Sequence, residues 1–333
     1  MQNSVNCPKG SRVFLRLIEG FSNSNCYIYP NIDLAVEFNL INMTISLKNP
    51  LKILCILLFL AMTIPGHAQK KFGGMTLYTV RDQMDKTPKE TLKEIADIGY
   101  KYIEATGYKD GKFYGMTPSE FRDYLSSLGL VPLSTHQGSV TLENADAMIA
   151  DVKAAGFKYF VIPVPPMGHF HYDAASQTMN MSGTPQEITD ILTTLGKKCK
   201  AAGLKLLYHN HNFEFTANEN GVVPYDYFLE HTDPDVVNFQ MDLYWITKAG
   251  VDPIAYFNKY PGRFKIWHVK DMDKEGRFAP VGTGTIDFAR ILAAKKKAGM
   301  KYYIVEQDRT FDGMEPMEAI KISHGNLKKI GFR

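Results

Sequence analysis

Residues 184–209 read TPQEITDILTTLGKKCKAAGLKLLYH, and this stretch shows the repeating unit of the fold. Thr184 offers an N-cap hydroxyl and a proline follows at the first helical position, so we predict a helix from Thr184 to Ala202. Gly203 ends that helix, because glycine adopts a left-handed C-terminal cap at little cost. Lys205–His209 then has the length and composition of a short buried strand.

The same unit recurs throughout residues 69–333. Short apolar strands alternate with amphipathic helices, and a glycine often separates a helix from the next strand. Such alternation predicts a parallel sheet covered by helices, and eight units predict an α/β protein with a single-domain (β/α)8 TIM barrel. The predicted strands are Met75–Thr79, Tyr100–Glu104, Val131–Thr135, Tyr159–Val164, Lys205–His209, Val236–Met241, Phe264–Val269 and Tyr302–Glu306. The predicted helices are Thr87–Ile98, Thr117–Leu128, Ala145–Ala155, Thr184–Ala202, Tyr225–His231, Pro253–Tyr260, Asp287–Ala298 and Met314–Ile330.

An open, doubly wound sheet is the alternative for this pattern of elements. That fold normally carries a glycine-rich phosphate loop after an early strand. The pair Gly73-Gly74 precedes the first predicted strand, and Gly282-Thr283-Gly284 follows the seventh without the GxGxxG spacing. The glycine pattern therefore favours the barrel.

The segment before the barrel has the features of an export signal. Residues 51–65 read LKILCILLFLAMTIP, an apolar run that is short for a membrane span and follows Lys48. Small residues then lead to Ala68, so we predict a signal peptide at 43–68 and a secreted, periplasmic protein that begins at Gln69. A retained N-terminal anchor is the alternative, and signal cleavage would leave no stable membrane span.

Residues 1–42 form an unusually long segment before a signal peptide, which normally starts near its apolar core. Met43 lies where a start is expected, so we interpret 1–42 as a gene-model extension or a disordered segment. Cys7, Cys26 and Cys55 all precede the predicted cleavage site, which leaves Cys199 alone. The mature protein is therefore predicted to have no internal disulfide bond.

The composition limits the classes of function. The chain is 45% hydrophobic and 22% charged, as is usual for a globular protein. Its formal net charge is only +3 and no block of Lys or Arg stands out, so a nucleic-acid partner is not expected. The composition is compatible with either a monomer or a homo-oligomer.

Ionisable residues cluster where the predicted strands end. In a TIM barrel the carboxyl ends of the strands surround the active site, so these side chains should meet at one opening. Several buried carboxylates together with imidazoles favour a divalent cation with nitrogen and oxygen ligands. Singly, each could instead be a hydrogen-bonded core histidine or a helix-capping carboxylate. The group comprises Glu104, His136, His209, His211, Glu214, Asp242, His268, Lys270, Asp271, Glu306 and Asp308.

Five short motifs carry a resemblance to a known family. They are LYTVRD at 77–82, YHNHNFEF at 208–215, MDLYW at 241–245, WHVKD at 267–271 and VEQD at 305–308. In order and spacing the chain resembles the sugar phosphate isomerase/epimerase family, the xylose-isomerase-like TIM barrels. The resemblance covers essentially all of residues 69–333.

The resemblance implies one divalent ion, commonly Mn, Co, Mg or Zn, held by side chains from strands five to eight. Asp242, His268 and Glu306 match the ligands of the last three of these strands. At strand five many members place Glu, but this chain has His209, with Glu214 five residues later as the second candidate. Because family epimerases typically pair two facing glutamates, a histidine here weakens a simple two-glutamate epimerase.

The expected chemistry is proton abstraction next to a carbonyl of an unphosphorylated sugar or keto-sugar. The metal would act as a Lewis acid, Glu306 as ligand and base, and His211 or Glu214 as the second acid–base group. Lys270 would stabilise developing negative charge. The residues expected to contact the substrate or orient the ligands are Glu104, His136, Arg81, Tyr78 and Trp245.

Other functions remain open at this point. A lyase or hydratase (dehydratase) acting on 3-keto-sugars or 3-keto-glycosides would use the same first step. A metal-free glycosidase would use Glu214 and Glu306 as its carboxylate pair. A noncatalytic sugar-binding protein would show no proton exchange. The near-neutral charge counts against a metal-dependent endonuclease on the related barrel.

Overall fold

The computed structural model describes residues 71–176 and 178–333. The predictions for 1–42 and for the signal peptide at 43–68 fall outside these ranges. Among the helices in the described ranges, none has both the length and the hydropathy needed to cross a bilayer.

Eight parallel strands close into a barrel, which confirms the predicted TIM barrel. Each strand is hydrogen-bonded to its neighbours in chain order, and the first strand pairs with the eighth. Numbered along the chain, the barrel strands are β1 Gly74–Thr76, β2 Tyr102–Ala105, β3 Val131–His136, β4 Tyr159–Ile162, β5 Lys205–His209, β6 Val237–Asp242, β7 Phe264–Val269 and β8 Tyr302–Val305.

Helices surround the barrel, and proline and glycine fix the ends of several. In the helix that follows Thr184, the threonine side chain and Glu187 form a capping box, and Gly203 adopts a φ of 84° at the other end. The helices are α1 Arg81–Lys86, α2 Pro88–Ile98, α3 Pro118–Ser127, α4 Ala145–Ala154, α5 Pro185–Ala202, α6 Pro224–Glu230, α7 Leu243–Lys248, α8 Pro253–Lys259, α9 Phe288–Ala293, α10 Lys295–Ala298 and α11 Pro316–Ile330.

The first strand is shorter than predicted. It ends at Thr76, and Leu77–Val80 form a 3-10 helix, because the Thr76 side chain caps the backbone N–H of Tyr78. Two short helices, α1 and α7, were not predicted. The latter begins directly after Asp242, whose Oδ1 accepts from the Trp245 backbone N–H at 2.9 Å. Local side-chain caps thus end β1 and β6.

Loops after the strands carry small antiparallel ribbons that the sequence did not reveal. After β4, Phe170–Asp173 pairs with Thr178–Met181, and we call this ribbon the mouth hairpin. Two others pair Tyr108–Lys109 with Lys112–Phe113 and Asp271–Met272 with Phe278–Ala279. All three lie outside the closed barrel sheet.

The buried apolar residues form two layers. One cluster consists of residues that alternate along the strands and fill the inside of the barrel, and it contains Leu207, Ile266 and Ile304. The larger cluster packs the outer face of the strands against the helices. Since side chains two residues apart on a strand share a face, the residues two positions beyond the inner cluster also point inward.

Candidate metal centre and substrate cavity

At the ends of three strands, polar side chains point into the barrel, because they lie two residues beyond apolar residues that face inward. His209 follows Leu207, His268 follows Ile266, and the residue two positions after Ile304 is Glu306. On β6 the register places Asp242 opposite His268 of β7. The carboxyl ends of four adjacent strands therefore supply one cluster.

The candidate metal-binding atoms of these four residues are close together. One ligand atom each from His209, Asp242, His268 and Glu306 lies within 4.8 Å of the others, and all four residues are buried. The structure thus brings together the four residues named from the sequence as metal ligands. The imidazoles and carboxylates match the ligand types of zinc, manganese and cobalt.

The imidazole of His268 is held on both sides by carboxylates. Its Nε2 lies 2.6 Å from Glu104 Oε1, and its Nδ1 lies 2.8 Å from Glu306 Oε2. Burial alone would lower the pKa of His268, but the charges of the two glutamates raise it to about 10. A cation at Nδ1 would replace a proton and leave Nε2–H bonded to Glu104, the usual arrangement of a metal-bound histidine.

A glutamine that the sequence analysis did not select fixes two more imidazoles. Gln240 Nε2 donates to Glu104 Oε2 at 2.6 Å, so its Oε1 must accept. That oxygen lies 3.1 Å from His209 Nδ1 and 2.9 Å from His136 Nε2. Both ring nitrogens therefore carry protons, which leaves His209 Nε2 available as a ligand. The clue in the sequence was the position of Gln240, two residues before Asp242 on the same strand face.

Lys270 places a fixed positive charge among the carboxylates. Its Nζ lies 3.1 Å from Asp242 Oδ2, 2.7 Å from Glu306 Oε2 and 2.8 Å from Asp308 Oδ1. Burial opposes the charge, but these carboxylates raise the pKa of Lys270 well above its usual range. Burial also disfavours the charged form of Asp308 and raises the pKa of its carboxyl group to about 6. Lys270 is thus positioned to meet negative charge that develops at the cluster.

Glu214 does not lie where a strand-five metal ligand or an acid–base group in the cavity would lie. It is absent from the four-residue cluster and from the cavity lining. Its Oε1 accepts from Tyr208 OH at 2.8 Å and its Oε2 from the backbone N–H of His211 at 2.9 Å. The 3-10 helix Phe213–Phe215 turns this carboxylate back, so Glu214 supports the His211 backbone. Burial raises the pKa of Glu214 to about 8.

A divalent ion fits the donor set. Asp242 Oδ2 is buried and accepts no hydrogen bond from any described residue, although Lys270 Nζ lies 3.1 Å away. The ring nitrogens of His209 and His268 that face away from the ion site are anchored by Gln240 and Glu104. A buried carboxylate oxygen whose close partner is the Lys270 ammonium, beside two pre-oriented imidazoles, matches what a metal ligand set requires.

A cavity of about 1070 Å³ opens above the cluster. Its lining includes four of the five residues predicted to contact the substrate or orient the ligands, namely Tyr78, Arg81, His136 and Trp245. It also includes His209, His211, Lys270 and Glu306. The fifth residue, Glu104, is fully buried beneath His268 and is not part of the lining, so of its two predicted roles the geometry favours orientation of the ligands.

A family model described as the xylose isomerase-like TIM barrel matches residues 92–330. The chain belongs to the xylose isomerase-like TIM barrel family. This confirms the resemblance seen in the sequence motifs. Together with the fold and its relatives, membership identifies the chain as an enzyme that modifies sugars, of the isomerase/epimerase or lyase type.

Several known proteins also align along most of the chain. An inosose dehydratase from Lacticaseibacillus casei is 25% identical over 275 residues, which cover 74% of this chain and 80% of that protein. A solved sugar phosphate isomerase/epimerase from Parabacteroides distasonis has 26% identity and a TM-score of 0.65, and covers 78% of this chain and 98% of its own. The solved IOLI protein with a bound zinc atom has 18% identity and a TM-score of 0.58, with coverages of 78% and 97%.

Proposed function

We propose that this enzyme depends on one divalent metal ion and removes a proton next to the carbonyl group of an unphosphorylated sugar or keto-sugar. The observation that carries the proposal is the convergence of His209, Asp242, His268 and Glu306 beneath an open cavity, with Lys270 beside them. The zinc atom in the solved IOLI protein supports the choice of a divalent ion. Zn, Mn, Co and Mg are all candidates.

The ion, when bound, would supply Lewis-acid polarisation of the substrate carbonyl. The protein supplies the remaining parts. Glu306, a proposed ligand, holds a carboxylate at the cavity floor that can also accept the proton. Lys270 Nζ lies within the same carboxylate group and is placed to neutralise charge on the carbonyl oxygen. His211 Nδ1 is buried, has no partner among the described residues and belongs to a residue of the cavity lining, so it is the second proton-transfer group.

The position of Glu214 favours a lyase over an epimerase. An epimerase of the two-glutamate kind needs a carboxylate facing Glu306, and the nearest candidate on the strand-five loop is turned toward Tyr208. With one carboxylate and one imidazole, the simplest reaction is elimination. Base removes the proton, the electron pair forms a carbon–carbon double bond, and the carbon–oxygen bond at the next position breaks.

The departing oxygen must receive a proton to complete that elimination. Asp308 beside Lys270 is placed to provide it, because burial raises its pKa to about 6. Burial lowers the pKa of His211 to about 3, so its imidazole is a proton acceptor. If the departing group is a hydroxyl, the products are water and an unsaturated ketone. The inosose dehydratases among the relatives carry the name of such a reaction, which supports the dehydratase form of the proposal.

The proposal is tested by loading the purified enzyme with Zn, Mn, Co or Mg and incubating it in deuterated water with inosose, 3-keto-glucose and methyl 3-keto-glucoside. We expect deuterium beside the carbonyl, or an ultraviolet-absorbing unsaturated ketone, with at least one metal. Asp242→Asn should abolish both signals, whereas the exposed Asp97→Asn should not. Full activity after exhaustive chelation would instead point to a metal-free glycosidase.

Export remains a separate proposal that rests on the sequence alone. We propose cleavage after Ala68 and delivery to the periplasm, because an apolar run with a positive flank precedes small residues. N-terminal sequencing of protein from a periplasmic fraction should begin at Gln69. A product that retains residues 43–68 in the membrane fraction would instead indicate an anchor.

A further inference from the structure

The cavity is large for a single sugar ring. Pockets that enclose whole drug-sized molecules measure about 300–1,000 Å³, and this one measures about 1070 Å³. The metal cluster occupies only its floor. From there the lining continues over the loop after β5 as far as Asn218 and Pro224, and over the mouth hairpin. Space for a second group therefore lies outside the reacting centre.

The mouth hairpin presents an apolar face to this outer space. Its register pairs Phe170 with Met181 and Tyr172 with Met179, so these four side chains share one face of the ribbon. All four line the cavity. Tyr172 is 49% exposed, which is costly for a large side chain unless something covers it. On the other face, His171 is not part of the lining, whereas its partner Asn180 and Thr178 add polar groups at the edge of the cavity.

A second aromatic surface faces the same space from the loop after β5. The rings of Phe213 and His211 are stacked at 21° with centroids 6.1 Å apart, and Phe170 lies 6.0 Å from Phe213. The C–H faces of sugar rings pack on aromatic rings of this kind, just as other apolar surfaces do. His211 is also 5.0 Å from His209, so this surface begins directly beside the metal cluster.

Two buried polar atoms in the same wall lack partners. Within the described ranges of the chain, Asn212 Oδ1 and Trp245 Nε1 make no hydrogen bond, and both residues line the cavity. A buried acceptor and a buried donor without partners cost free energy. A sugar hydroxyl both donates and accepts, so a bound ring with several hydroxyls offers partners for both. The wall thus combines apolar surface with polar atoms in need of a partner.

We infer that the substrate is a glycoside with at least two rings, whose second ring lies over the surface that the mouth hairpin and the Asn212–Phe213 loop form together. This inference rests on the proposed function for the first ring, which carries the carbonyl and sits at the metal cluster. The second ring stacks on Phe170 and Phe213 and bonds to Asn212 and Trp245. Tyr172, at the outer end of the hairpin face, covers it from solvent.

The test measures binding without turnover, in metal-loaded enzyme, by calorimetry. Each disaccharide is compared with the matching one-ring ligand: cellobiose with methyl β-glucoside, maltose with methyl α-glucoside, and lactose with methyl β-galactoside. At least one disaccharide should bind about tenfold more tightly than its partner, because one added stacking contact is worth roughly that factor. Equal affinities in all three pairs, or binding of no disaccharide, overturn the inference.

Variants locate the second ring. Phe170→Ala and Asn212→Ala should each reduce the preferred disaccharide to the affinity of its one-ring partner and leave the partner within about twofold. The matched control is His171→Ala, which alters the neighbouring residue on the other face of the hairpin and should leave both affinities unchanged. Loss of one-ring binding in Phe170→Ala, or an equal loss of disaccharide binding in the control, would contradict the assignment.

Failure of this inference and failure of the proposed function give different results. If deuterium exchange occurs but no disaccharide is preferred, the two-ring substrate is wrong and the proton transfer stands. If a disaccharide is preferred but no keto-sugar or keto-glycoside exchanges deuterium with any metal, the second-ring site stands and the proposed reaction is wrong.

Discussion

Glu104 Oε1 lies 2.6 Å from His268 Nε2, and both side chains are fully buried. The contact joins β2 to β7 across the inside of the barrel, beneath the proposed metal. It determines which ring nitrogen of His268 faces the cavity. Because Glu104 also accepts from Gln240 Nε2, one carboxylate orients two of the four ligand strands.

Replacing Glu104 by Gln should weaken metal binding without changing the ligand set. The uncharged amide of the variant would interact more weakly with Nε2–H of His268 than the carboxylate does. Loss of a hydrogen-bond partner to a metal-binding histidine typically lowers metal affinity about 10–100-fold. Competition with a fluorescent chelator for Zn2+ measures the change. Glu94→Gln, on the exposed face of α2, is the control and should match the wild type. Unchanged affinity in Glu104→Gln would show that the contact is only structural.

Metal addition should raise the thermal stability of the wild type but not that of Asp242→Asn. An ion that binds only the folded state at 100 times its Kd contributes about 2.7 kcal/mol to unfolding free energy. Differential scanning calorimetry with and without Zn2+ or Mn2+ gives the shift in Tm. A similar shift in the variant would place the ion elsewhere.

Substitution of His211 by Asn should slow proton transfer and leave metal content unchanged. General acid–base groups typically contribute about 10²–10⁴-fold to rate, so kcat should fall by at least about 100-fold while KM changes little. Deuterium incorporation and metal analysis of the same sample test both halves. Loss of bound metal in this variant would mean that His211 acts as a ligand.

The stability contributed by Glu214 should depend on pH. Burial raises the pKa of the Glu214 carboxyl group from 4.5 to about 8. The folded protein therefore binds the carboxyl proton more tightly than the unfolded chain does. That contribution is complete below about pH 4.5 and is lost as pH rises through 8. Glu214→Gln does not titrate there, so the stability of the wild type relative to this variant should fall between pH 5 and 8 in urea denaturation. A constant difference across that range would contradict the burial effect.

Asp271 should be important for stability and not for chemistry. Its carboxylate accepts hydrogen bonds from the backbone N–H groups of Met272, Gly282, Gly284 and Ile286, all near 3 Å. Asp271→Ala leaves these donors without their acceptor, and we expect a loss of about 3 kcal/mol in unfolding free energy. The exposed Asp123→Ala is the control, with little change in chemical denaturation. An equally small effect at Asp271 would show that water replaces the carboxylate.

The barrel could be predicted because its signals are local. Proline after Thr184 and glycine at 203 mark the ends of a helix, and the strands β5 and β7 begin and end where they were predicted. The mouth hairpin was not predicted because its alternation of Phe170 and Tyr172 with polar residues covers only a few positions. A short ribbon of this kind gives little periodic signal.

Only the ionisable residues of the site could be predicted from the sequence. Asp242, His268, Lys270 and Glu306 stand out as ionisable groups at strand ends. Gln240 carries no charge, so its place between two histidines emerged only from the register of β5 and β6. The choice between His209 and Glu214 depended on one turn of 3-10 helix, which sequence spacing alone does not determine.

Lys270 has a consequence for how the enzyme acquires its ion. Its ammonium group acts as a tethered counter-ion for Asp242, Glu306 and Asp308, so part of their negative charge is compensated before any metal arrives. We therefore expect folding to precede binding of the proposed metal, unlike in small zinc domains whose folding requires the metal. The polypeptide would then reach its final shape first, and the supply of ions around the folded protein would decide which one the proposed site holds.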